Sequence, residues 1–209
     1  LRNFIKKILT TQNIEFSFLY LDDNIYSFTN SMFPQFFSLK DSNNILRKFI
    51  QFKQVASENK NIYVTREGSS YRTIVNESDI IPLLRTNGFK IINPQLYDID
   101  EQIQIFSQAD KIISPHGSNL ANIVFCKPGT KIFEIGPSFE NNYEKIFEDR
   151  YKKLAILNNL DYTRIITDTV GVKKHSDLAL KYINNKILQE SNYYKNLIVK
   201  IKDFELFLN

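Results

Sequence analysis

The sequence predicts an α/β fold, a Rossmann-like parallel sheet with helices on both faces, on three observations. From Ile62 onward, short runs rich in β-branched and aromatic residues alternate with stretches whose apolar residues recur at helical spacing. The connections between them are short, which favours right-handed β-α-β crossovers and a parallel sheet. Third, "ISPHGSNLANIVF", residues 112–124, is an apolar run that ends in a small polar His-Gly turn and restarts as a helix. Such junctions are where α/β proteins place ligands.

Taken in order, Glu15 to Leu21 reads as a strand, and "NIYSFTNSMFPQFF" is aromatic without a helical or strand period. The first forty residues read as the end of a preceding domain and a connection into a helix at Ile45 to Lys60. Ile62-Tyr63-Val64 is the first strand of the sheet. A helix follows with Asn76, Ser78 or Asp79 as its cap, a stripe at Ile80, Leu83 and Leu84, and Gly88 as its stop. Pro82 is tolerated only in a first turn, so the later cap is expected. Phe89 to Ile92 is the second strand, Asp100 to Ala109 the next helix, and Lys111 to Ser114 the third strand. Ser118 is expected to cap a short helix with Leu120, Ile123 and Val124 on one face, and Pro128-Gly129 turns into a fourth strand at Lys131 to Ile135. From His175 to Leu208 helical spacing with lysines opposite predicts one or two surface helices.

At 209 residues and 43% hydrophobic content the chain is long enough to bury one good core. Its 27 basic and 23 acidic residues are interspersed, which excludes a basic stripe built for a phosphate backbone, and no nucleic-acid partner is expected. One cysteine, Cys126, and two histidines exclude a disulfide framework and an all-Cys/His zinc site, and a reducing compartment fits. No run approaches the roughly 18 apolar residues of a spanning helix, so no transmembrane segment is expected. No secretory signal is visible either. The chain opens on Leu1 in mid-pattern, with Phe4, Ile5, Ile8 and Leu9 at helical spacing, and so reads as part of a longer protein.

Parallel sheets present ligands at the carboxyl ends of their strands, where helix N-termini supply backbone N–H groups and partial positive charge. Two such ends carry chemistry. In "VTREGSSYR", residues 64–72, Arg66 and Arg72 surround a Gly-Ser-Ser loop; they either grip a diphosphate with their planar forks or are two solvated arginines. In "SPHGSN", residues 114–119, Gly117 allows close approach of a ligand, and the N–H groups of Ser118 and Asn119 open towards an anion. His116 there either donates to a phosphate oxygen, which would raise its pKa, or satisfies a backbone carbonyl. Glu134, near the end of the fourth strand, either accepts two ribose hydroxyls or caps the nearby turn.

Other constellations are absent. There is no Gly-x-Gly-x-x-Gly and no Walker loop, which disfavours a nicotinamide site. Ser114 and His116 lack the sharp elbow of a hydrolase nucleophile. Asp22-Asp23 is only a loose likeness to the Asp-x-Asp metal pair of some sugar transferases, and no metal site is expected.

The pieces "YVTREGSSYRTIVNE", "GFKIINP" and "EQIQIFSQADKIISPHGSNLANIVFCKPGTKIFEI", in that order and spacing, make Ile62 to Gly136 resemble the nucleotide-sugar-binding half of glycosyltransferase family 61. The resemblance implies a GT-B architecture of two Rossmann-like domains facing a cleft. Residues 41–209 are then the donor domain with its C-terminal helices, and 1–40 a remnant of the N-terminal domain. It implies metal-independent, cofactor-free, inverting transfer from a nucleotide sugar to a glycan acceptor in surface polysaccharide synthesis, and the single cysteine and lack of a visible signal point to the cytoplasm. Arg66 and Arg72 are placed at the diphosphate and His116 with Gly117 at the phosphate turn. Two departures stand out. Many members continue His-Gly-Ala-Gly-Leu where this chain has His-Gly-Ser-Asn-Leu, so that Asn119 replaces a glycine, and the domain expected to hold the acceptor and general base is mostly missing. No residue is assigned as base. The alternative is a nucleotide or sugar-phosphate binding module without catalysis, and a sugar-phosphate isomerase or hydrolase on the same scaffold ranks third.

Overall fold

The computed structural model describes residues 6, 9–10, 13–17, 27, 38–49, 60–69, 71–139, 142–171 and 192–208. The chain divides into two compact units, Leu1–Ile50 and Gln51–Asn209. In the first, helix α1 spans Leu39–Phe49. It begins six residues before the expected Ile45, because the Ser38 hydroxyl accepts from the Asp41 N–H at 3.1 Å and donates to the Asp41 carboxylate at 2.6 Å, closing the first turn. Of the strand expected at Glu15 to Leu21, residues 15–17 form no regular element and the rest lie outside the described residues, as does most of the aromatic stretch and the Asp22-Asp23 pair.

The second unit is a six-stranded sheet. Its strands are β1 (Asn61–Val64), β2 (Phe89–Ile92), β3 (Lys111–Pro115), β4 (Lys131–Pro137), β5 (Asp161–Val170) and β6 (Asn196–Ile198), in the order β2-β1-β3-β4-β5-β6. The first five pair in parallel and β6 runs antiparallel to β5. Between them lie helices α2 (Glu77–Thr86), α3 (Ile99–Gln108) and α4 (Asn142–Leu157), a 3₁₀ helix at Ser118–Phe125, and a short α5 (Ile201–Glu205) after β6. This is the expected parallel α/β sheet, consistent with a Rossmann-like fold.

Side chains alternate across the sheet. One face sends Tyr63, Phe89, Ile113, Ile135 and Ile165 into a core with Ile80 and Leu84 of α2 and with Phe204 and Leu208 at the C-terminus. The opposite face carries Ile112, Ile132 and Glu134, and His116 on this side meets Tyr151 of α4 ring to ring at 5.3 Å. Helices therefore cover both faces. α3 starts with a capping box, in which Asp98 accepts from the Glu101 N–H and Glu101 from the Asp98 N–H.

Three expectations need correction. α2 begins at Glu77 rather than later, with Pro82 in its second turn. Pro82 and Ser78 are both exposed, so the hydrogen bond forfeited to the Ser78 carbonyl is left to water. Asn76 occupies the cap position but makes no side-chain cap bond, because its amide is engaged with the backbone of Val199 at 2.8 and 3.0 Å. Ser118 is the first residue of a 3₁₀ helix whose cap is Gly117, and not itself the cap. Finally, the described part of the tail is not a pair of surface helices. Asn196–Ile198 extends the sheet, and Phe204 and Leu208 are core residues. α4 and β5 were not foreseen.

Candidate functional site

Because β1 is followed in space by β2 on one side and β3 on the other, the chain changes direction across the sheet between β1 and β3. In open parallel sheets the crevice beyond the carboxyl ends of such a strand pair is the ligand site. The two segments picked out in the sequence leave the sheet there: Thr65 and Arg66 after β1, His116 and Gly117 after β3.

Arg66 and the His-Gly turn do meet. The Arg66 guanidinium lies on the Cα of Gly117, so closely that a Cβ on that residue would come within 2.8 Å of Cζ. The φ of Gly117, 168°, is ordinary extended backbone. Glycine is needed here for close approach, not for an unusual torsion. Arg66 Nη2 also donates to the Tyr71 carbonyl at 3.3 Å. The Tyr71 ring is shared by both guanidiniums, with Arg72 Cζ 4.7 Å and Arg66 Cζ 5.9 Å from its centroid. Neither is a solvated surface arginine, for they are 7% and 4% exposed. Arg72 adopts a left-handed φ of 57°, a conformation costing a residue with a Cβ on the order of 1–2 kcal/mol.

Behind the turn stands a second cluster. His116 donates its backbone N–H to the Ile135 carbonyl at 2.7 Å, and its Nδ1 is 2.5 Å from Glu134 Oε1. An Nδ1–H that donates to a carboxylate oxygen leaves the lone pair of a neutral imidazole on Nε2. Glu134 Oε2 accepts from the Tyr162 hydroxyl at 2.7 Å, and Arg164 Nη1 lies 3.5 Å from Oε1. Arg164 is Glu134's direct partner across the β4–β5 ladder and also donates to the carbonyls of Pro137 and Glu148. Burial is the first cause holding the His116 pKa below its ordinary value; Glu134 opposes it, and the charges of Arg72 and Arg164 add to the lowering. Burial, then Glu134, pushes the Tyr162 hydroxyl well up.

Glu134 is wholly buried, with both oxygens taken by protein groups. The carboxylate expected at a ribose thus faces His116, Tyr162 and Arg164. Asn119, expected among the phosphates, turns its amide towards the Thr65 carbonyl at 3.5 Å, tying the two strand exits together. Ser118 is exposed at the mouth of the turn, at the start of a helix whose first N–H groups have no acceptor within it. Tyr162 and Arg164 were missed by the sequence reading, although "DYTRIITDTV" has the β-branched content of a strand. Among the described residues, no three His, Cys, Asp or Glu side chains gather as metal ligands would, and no helix is long and apolar enough to cross a membrane.

The exits of β1 and β3, where open parallel sheets receive ligands, thus bring two stacked arginines against a glycine turn. The sequence profile of Glycosyltransferase 61 matches residues 2–133, more than half of the chain. The chain belongs to glycosyltransferase family 61 and is a glycosyltransferase. The match begins far upstream of β1, beyond the stretch that carried the resemblance in sequence. No curated protein matches the chain.

Proposed function

We propose that the chain moves a sugar, with inversion and without a metal, from a nucleotide-sugar donor to a glycan acceptor in surface polysaccharide synthesis in the cytoplasm. The donor diphosphate lies in the crevice between β1 and β3. The observation that carries this reading is the Arg66 guanidinium resting on Gly117, with Arg72 stacked on the same Tyr71 ring. Two planar forks converge where an α/β sheet receives anions.

In the reaction, the acceptor hydroxyl oxygen bonds to the anomeric carbon as the bond from that carbon to the diphosphate oxygen breaks. The electron pair leaves with the nucleoside diphosphate and the acceptor proton passes to a base. Arg66, Arg72 and the N–H groups opening the Ser118–Phe125 helix stabilise the charge growing on the leaving group, the task a metal performs elsewhere. His116, oriented by Glu134, supports the turn and can donate from Nε2 once protonated. A second Rossmann-like domain, completing a GT-B cleft, supplies acceptor and base. The buried thiol of Cys126 fits a reducing compartment.

A thermal-shift panel of UDP-, GDP- and dTDP-sugars identifies the donor. Arg66→Ala then weakens its binding roughly ten- to a hundredfold, the worth of a charge-assisted hydrogen bond. Unchanged affinity for the donor in this variant would overturn the assignment.

A further inference from the structure

We propose that Asn196, in the C-terminal segment, is a positioning residue that holds Arg72 at the anion crevice. The inference rests on the reading of Arg66 and Arg72 as the diphosphate grip and adds what keeps the second arginine in place.

Arg72 has a left-handed φ of 57°, which a residue with a Cβ adopts only when its neighbours are constrained. Both neighbours are held by one short stretch of chain. Thr73, just after Arg72, gives two hydrogen bonds to Asn196 Oδ1, from its backbone N–H at 3.2 Å and from its hydroxyl at 3.0 Å, across 123 positions of sequence. The Thr73 carbonyl accepts from Leu197 N–H at 2.9 Å, and Leu197 in turn accepts from the Val75 N–H at 2.8 Å. Tyr71, just before Arg72, sets its ring edge-on to Tyr194, with centroids 5.4 Å apart, while its face meets the Arg72 guanidinium.

Asn196 is buried, and its side-chain oxygen has two lone pairs, both directed at Thr73. One amide therefore fixes the backbone and the side chain of the residue that follows Arg72. Without it the Thr73 N–H loses its partner, the loop relaxes towards negative φ, and the Arg72 guanidinium leaves the Tyr71 ring. Asn196 touches no ligand and works only through Arg72.

The test is calorimetric titration of the full chain with inorganic pyrophosphate. Asn196→Ala is expected to raise the dissociation constant about fivefold, and Arg72→Ala more. In the Arg72→Ala background Asn196→Ala adds nothing further, a non-additivity that general loosening of the fold does not produce. Thr73→Val removes the hydroxyl donor and keeps the backbone bond. It gives about a twofold loss and carries the test should Asn196→Ala not fold. The positioning role is overturned if the Asn196 change weakens binding equally with and without Arg72. It is likewise overturned if Arg72→Ala weakens pyrophosphate binding and neither Asn196→Ala nor Thr73→Val does. If Arg72→Ala itself leaves binding unchanged, the diphosphate reading fails first, and this inference falls with it.

Discussion

Two polar clusters flank the His-Gly turn, and they are built differently. On the β4–β5 side, Glu134 is closed in by His116, Tyr162 and Arg164, a carboxylate whose capacity is spent on protein donors. On the β1 side, Arg66 and Arg72 lie against an aromatic face, a main-chain carbonyl and the bare Cα of Gly117. In the proposed reading the first cluster holds the turn and the second receives the donor's diphosphate.

The sharpest way to break this distinction is Glu134→Ala. It takes the carboxylate away from Arg164, which keeps only the Pro137 and Glu148 carbonyls, and from the Tyr162 hydroxyl, and removing one partner of a buried charge network costs about 3–5 kcal/mol. Urea denaturation should therefore show a large loss of stability in Glu134→Ala, while Arg66→Ala unfolds near the wild-type midpoint and loses donor affinity instead. Equal stability of the Glu134 variant and the wild type would erase the difference between the clusters.

Which parts were legible in sequence follows the same divide. β1 to β4 announce themselves as apolar runs, and Arg66, Gly117 and His116 are visible because each sits immediately past a strand, where local pattern alone places it. Two of Glu134's partners were out of view because they belong to β5, which meets β4 only through pairing across α4. β5 is also exposed along much of its length, so it lacks the continuous apolar signature of the inner strands. The tail was misread for a related reason. Its residues have helical spacing, but the bonds from Leu197 to Thr73 and from Asn76 to Val199 override that local preference.

Gly117→Ala tests the receiving cluster with a smaller effect. The added methyl collides with the end of a flexible arginine, not with backbone, so Arg66 can swing away and the fold is kept. Stability should stay within about 1 kcal/mol of wild type while affinity for the donor falls about tenfold. A variant that instead unfolds would show that Gly117 serves packing alone.

The finest comparison uses His116 as a reporter placed between the clusters. Its folded pKa is lowered, first by burial, so between that value and the unfolded value of about 6.5 the unfolded chain binds the extra proton. Stability from this group is thus complete above about pH 6.5 and declines as pH falls towards the folded value, by at most about 1.4 kcal/mol per unit. Between pH 7 and 5.5 the wild-type urea midpoint should fall further than that of His116→Gln, which has no imidazole to protonate. Saturating pyrophosphate should shrink the gap, because an anion on the arginines offsets the positive charge that helps keep the ring neutral. If the gap persists undiminished with the anion bound, the charge on the arginines does not reach His116 and the two clusters are electrostatically separate.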